Sequence, residues 1–166
     1  NIPFGSKPHE YKAQFIRPSG VGEEKLDKVT AAFYDLWKKS YLRKGCGEDR
    51  YYVQPTGDFD GLTVSEAHGY GMIISALMAG HDKDAKRHFD GMYYYFREHP
   101  SSYDENLMAW YQTKCCYDAK GEDAATDGDI DIAYGLLLAH KQWGSCGSID
   151  YLKEAERVIK AIKQKE

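Results

Sequence analysis

The sequence predicts an all-α fold, and three observations carry that prediction. Apolar residues recur at helical spacing in about six segments. Only Tyr51–Val53 reads as a short strand, and nothing reads as a sheet. The helices also come in two kinds, some with one wet side and others apolar nearly all round, which places two layers of helices around a common centre. With 166 residues, 42% of them hydrophobic, the chain is long enough for one domain with a real core, and no internal boundary divides it.

Residues 1–22 hold Pro3, Pro8, Pro18, Gly20 and Gly22 and read as an irregular arm. From Glu23 to Tyr41, Leu26, Val29, Phe33 and Leu36 mark one face of an amphipathic helix, and Lys25, Asp27, Lys28, Asp35, Lys38 and Lys39 mark the other. Residues 43–64 form a Gly-rich loop, and a loop this long inside one domain is functional or disordered. In residues 64–80, VSEAHGYGMIISALMAG, Ser65 is a candidate N-cap and Gly80 a candidate stop. The helix between them is apolar nearly all round and reads as internal.

Residues 82–98 return to the amphipathic type, with Ala85, Phe89, Met92 and Phe96 as the stripe and His99-Pro100 as the end. A shorter helix is expected around Glu105–Thr113, carrying Leu107, Met108 and Trp110. A polar stretch then leads into Ala125–Gly144, ATDGDIDIAYGLLLAHKQWG, whose stripe is Ile132, Leu136, Ala139 and Trp143. Leu152, Ala155, Ile159 and Ile162 mark a last amphipathic helix. Alternation of wet and buried helices breaks between the fourth and fifth of these six.

A net charge of −4 excludes the basic footprint of a nucleic-acid binder. No run approaches the roughly 20 apolar residues of a membrane span. No signal peptide is visible, and a start at Asn1 reads as processed or trimmed. Fourteen Tyr, three Trp and six Phe suit a protein that stacks flat ligands. Cys46, Cys115, Cys116 and Cys146 allow three pairings if all are oxidised. Adjacent Cys115 and Cys116 are poor partners for each other. One disulfide and free buried thiols both stay open, and the absence of a C-x-x-C pair argues against zinc.

Two stretches carry chemistry. Glu66 follows the Ser65 cap, where an acidic residue is favoured by the helix dipole alone. Gly69 and Gly71 nearby, each costing roughly 1 kcal/mol in a helix, open room for another backbone or a ligand. A carboxyl beside such an opening is a candidate general acid, provided burial and a second carboxylate help it keep its proton. Asp127 is that second carboxylate, unless it is only a helix cap. Asp127, Asp129 and Asp131 imitate a calcium loop, but Ile132 and Leu138 stand where Gly and an acidic residue are needed. The six histidines show no zinc-ligand spacing, and no G-x-S-x-G is present. Trp143 lies on the buried stripe and is assigned to the core, whereas Trp110 is open between core and ligand platform.

Together these motifs resemble glycoside hydrolase family 8. A-T-D-G-D-x-x-I-A-Y, Ala125–Tyr134, with Leu136, Leu137, Ala139 and Trp143 behind it, is similar to the family signature. SEAHGYGMIISALMAG, Ser65–Gly80, resembles the segment carrying the family's general acid. Trp37–Leu42, WKKSYL, and Tyr151–Ala155, YLKEA, resemble Bacillus-type members, including chitosanases and β-glucanases. The likeness runs from about Ile16 to the end; Gly135 departs from the usual Ser or Ala.

The resemblance implies an (α/α)6 barrel of which residues 23–166 supply the N-terminal half, about half the helices, with a complementary C-terminal chain supplying the rest. It implies an inverting endo-acting hydrolase of β-1,4 bonds in chitosan, β-glucan or cellulose, with carboxylates roughly 6.5–9.5 Å apart. Glu66 would be the proton donor, Asp127 would bind and distort the sugar at the cleavage subsite, and Trp110 would stack on a pyranose. No residue matches the family's general base; Asp58 and Asp60 are conceivable substitutes. The acidic charge leans slightly toward chitosan. No cofactor, metal, nucleic acid or membrane is required, and a polymeric substrate implies secretion. The alternative is a non-catalytic glycan-binding or assembly fragment lacking the base.

Overall fold

The computed structural model describes Phe4, Ile16, residues 18–119 and residues 123–165. In chain order these form α1 (Glu23–Tyr41), β1 (Leu42–Lys44), β2 (Tyr51–Val53), β3 (Thr63–Val64), α2 (Ser65–Leu77) with a 3-10 turn at Met78–Gly80, α3 (Ala85–Glu98), β4 (Tyr111–Gln112), α4 (Thr126–Trp143) and α5 (Tyr151–Lys165). The expected arm, residues 1–22, lies largely outside the described residues.

Helices α2 and α4 make the inner layer and run side by side in the same direction. A Cβ on Gly128 would stand 2.7 Å from the Ser65 carbonyl carbon, and one on Gly69 would stand 2.6 Å from the Asp131 Cβ. A Cβ on Gly135 would stand 3.0 Å from the Met72 Cβ, and further along Gln142 Nε2 donates to the Ala76 carbonyl at 3.0 Å. Glycine at these crossings lets the backbones touch. Helix α3 packs outside α2, where His68 Nε2 donates to the Met92 carbonyl at 2.8 Å. Helix α5 packs outside α4, and Phe89 of α3 meets the rings of Trp143 and Tyr151 at 5.4 and 5.5 Å. Trp143, expected in the core, is partly buried and packs against it.

The helix expected over 105–113 does not form. Pro100 bridges Met108, Ala109 bridges Ala124, and β4 pairs antiparallel with β3, Thr63 opposite Gln112 and Val64 opposite Tyr111. A second pair joins β1 to β2, Leu42 opposite Val53. Leu107 and Met108 are apolar because their side chains fill the core, not because they sit on a helical stripe. With that segment removed, the wet and buried helices alternate from α1 to α5, which repairs the break in the sequence pattern.

Two caps also differ. Val64, in extended conformation, precedes α2, so Ser65 is its first residue, and α2 ends at Leu77 before Gly80 is reached. Helix α1 buries Tyr34, not the expected stripe; Val29, Phe33 and Leu36 stay 59%, 70% and 60% exposed. Its anchor is polar: the Tyr34 hydroxyl donates to Asp82 at 2.6 Å and Lys38 Nζ to the same oxygen at 2.8 Å. Cys46 and Cys116 form a disulfide that ties the β1–β2 turn to the loop after β4, while Cys115 and Cys146 are free and exposed.

Candidate active site

Because α2 and α4 are parallel, both first turns open at the same end of the inner layer. Glu66 is the second residue of α2 and Asp127 the second of α4, and both are exposed there. Acidic residues suit a helix N-terminus, so the sequence places two carboxylates here at little local cost, and the Ser65–Gly128 contact brings the two turns together. Asp127 Oδ1 accepts its neighbour Gly128 N–H at 2.8 Å.

Two more side chains complete the mouth: Tyr70, which the sequence did not mark, and Asp131, which it marked only as part of the aspartate cluster. Tyr70, one turn beyond Glu66 and half-exposed, hydrogen-bonds Glu66, and its hydroxyl is held above its ordinary range by the charge of Glu66 and by that bond, with Asp131 and Asp127 adding to the effect. Asp131, one turn beyond Asp127, is raised first by burial and then by the charges of Asp127 and Glu66. The i, i+4 spacings Glu66–Tyr70 and Asp127–Asp131 were the available signal.

Trp110 reaches the same place through its backbone. Its N–H donates to the Asp123 carbonyl at 3.0 Å and its carbonyl accepts Ser65 N–H, the residue before Glu66, at 3.0 Å. The indole is half-buried, 5.4 Å from the Tyr111 ring. Asp129 turns the other way from Asp127. It is 1% exposed, its Oδ1 accepts Met108 N–H at 2.9 Å, and its Oδ2 has no partner. Burial pushes its carboxyl up to about 7, opposed by the Met108 amide and assisted by Asp127.

The structure thus brings Glu66, Asp127 and Trp110 together. Of the two conceivable substitutes for a general base, Asp60 accepts the Tyr111 hydroxyl at 2.6 Å and Asp58 is exposed in the Gly-rich loop. Among the described residues, no cluster of three or more His, Cys, Asp or Glu is arranged to hold a metal ion.

The sequence model of glycosyl hydrolases family 8 matches residues 26–166. The chain belongs to this family. A beta-glucanase of Niallia circulans is 47% identical over 164 residues, covering 99% of this chain and 39% of the relative. An endoglucanase of Bacillus sp. (strain KSM-330) is 47% identical over 159 residues, covering 89% of this chain and 34% of the relative. The apo structure of a beta-1,3-1,4-glucanase from Paenibacillus sp. X4 superposes with a TM-score of 0.88 at 47% identity, covering 98% of this chain and 43% of that one. The chain therefore spans about two fifths of the length of these family 8 relatives. Its alternating inner and outer helices are part of an (α/α)6 barrel, about half of the ring.

Proposed function

We propose that this chain is the acid-bearing side of an inverting endo-β-glycanase. The observation that carries the reading is the common mouth of α2 and α4, where Glu66 and Asp127 face one opening and the Trp110 backbone is bonded to the residue beside Glu66. Glu66 donates a proton to the glycosidic oxygen, Asp127 holds the sugar whose ring distorts, and the Trp110 indole supports a pyranose face. Inversion needs a second carboxylate that activates water from the opposite side, and in this reading the complementary C-terminal segment supplies it. Two apolar faces are placed to receive that segment. One is Val29, Phe33 and Leu36 on α1; the other is a groove of about 400 Å³ between α4 and α5, lined by Ile130, Tyr134, Leu137, Ile159 and Ile162.

The names of the relatives favour β-glucan over chitosan as the substrate. A polymer too large to enter a cell puts the enzyme outside it, and the Cys46–Cys116 disulfide suits an oxidising compartment. The test is Glu66→Gln in the assembled enzyme. Hydrolysis of lichenan is expected to fall about 10²- to 10⁴-fold with binding retained. Activity within threefold of the parent would sink the assignment, and a greater rate on chitosan than on lichenan would overturn the substrate.

A further inference from the structure

Four consecutive amides thread the wall of the mouth, and they differ in what they bond. Leu107 N–H goes to the Asp104 carbonyl at 3.0 Å, Ala109 N–H to the His99 carbonyl at 2.9 Å, and Trp110 N–H to the Asp123 carbonyl at 3.0 Å. Met108 N–H alone goes to a side chain, Asp129 Oδ1 at 2.9 Å. Leu107, Met108 and Ala109 are all buried, so none of these amides has water as an alternative partner. Asp129 belongs to the first turns of α4, two residues from Asp127, and is buried with one carboxylate oxygen unpartnered. A buried carboxyl is costly wherever an apolar or amide residue would fit, so its presence calls for a duty.

We propose that Asp129 is a positioning residue: by gripping the Met108 amide it fixes the Trp110 segment against the helix that carries Asp127, and so sets where the Trp110 platform stands relative to Glu66 and Asp127. The other three bonds tie the segment to itself, to the end of α3 and to the strand-like stretch before α4. The bond to Asp129 joins it to α4 itself. Loss of that bond leaves the segment tied to α2 through the Ser65 N–H and Trp110 carbonyl but no longer to α4, free to shift by the fraction of an ångström that misaligns a stacked sugar, while Glu66 and Asp127, held by the α2–α4 contact, stay in place. Substrate affinity then suffers more than the chemical step.

The inference rests on the glycanase reading of this site, and its test separates the two. Hydrogen exchange on the assembled enzyme compares the parent with Asp129→Ala and Asp129→Asn. The alanine variant should lose protection selectively at Met108 and Trp110 while the α2 and α4 cores keep theirs; Asn, which retains an accepting oxygen, should restore it. In the assembled enzyme, Asp129→Ala should raise KM for lichenan about tenfold with kcat within twofold, and Asp129→Asn should recover KM to within threefold. Asp129→Ser, too short to reach Met108, replaces the alanine variant if that one does not fold. A Met108 amide that exchanges in the parent as fast as an exposed one overturns the proposal without any variant. Exchange lost with KM unchanged, or kcat falling with KM unchanged, overturns it too. A parent enzyme inactive on every β-glucan overturns the glycanase reading and the subsite role together.

Discussion

Burial and the nearby Asp127 hold the Asp129 carboxyl at about 7, so this group changes charge between pH values at which the unfolded chain's aspartates have long been ionised. Between roughly pH 4 and 7 the folded chain binds a proton there that the unfolded chain has released. Folding stability from this group therefore falls as pH rises through that window and levels off above it. The span is on the order of 4 kcal/mol for a group shifted this far. Asp129→Asn carries no such charge, so its Tm relative to the parent should climb from about pH 4 to 7 and then stay flat. A difference in Tm that is the same at pH 4.5 and pH 8, by calorimetry, would mean that Asp129 ionises as an ordinary carboxylate.

At the scale of elements, the glycines of the inner layer set how closely α2 and α4 approach. Alanine ordinarily stabilises a helix by about 1 kcal/mol over glycine. At Gly128 its Cβ would lie 2.7 Å from the carbonyl carbon of Ser65, which is backbone and cannot rotate away. Gly128→Ala is therefore expected to destabilise by about 1–3 kcal/mol, seen as a lower Tm, and to reduce activity by parting the turns that carry Glu66 and Asp127. A Tm that rises instead would show that α2 and α4 have slack. The same scale explains what the sequence made legible. Inner helices α2 and α4 were readable because they are apolar on most sides, and their acidic first turns stood out against that background. The segment 105–113 was not, because Leu107, Met108 and Trp110 fit helical spacing while the amides between them find partners at His99, Asp123 and Asp129, far away in sequence. Asp129 itself was visible as one of three aspartates, but nothing local says that it turns inward where Asp127 turns out. The stripe on α1 was read correctly as apolar; its exposure depends on what packs beside it, which no window of residues contains.

Over the whole molecule, one covalent link joins distant parts of the chain and two surfaces are left apolar. The Cys46–Cys116 disulfide closes a loop with a sequence separation of 70, and a loop of that size stabilises by about 4 kcal/mol in the chain-entropy account. Replacing both residues with Ser should lower the urea midpoint accordingly, while replacing the free, exposed Cys115 and Cys146 with Ser should leave it unchanged. An unaltered midpoint in the double variant would show that the loop is already ordered without the link. The exposed stripe on α1 and the groove between α4 and α5 lie on elements that bracket the α2–α3–α4 core, so a complementary segment that covers both would close the ring from two sides.

The parallel contact of α2 and α4 has a temporal consequence as well. Everything that seats Glu66 beside Asp127 lies between Ser65 and Trp143. On a ribosome, the acid side of the cleft is finished while any later segment is still inside the exit tunnel. A nascent chain at that stage would hold Glu66 and Asp127 in place with nothing yet opposite them. On the glycanase reading, the ability to cut a polysaccharide would arrive only with a later segment, as the closing step of synthesis.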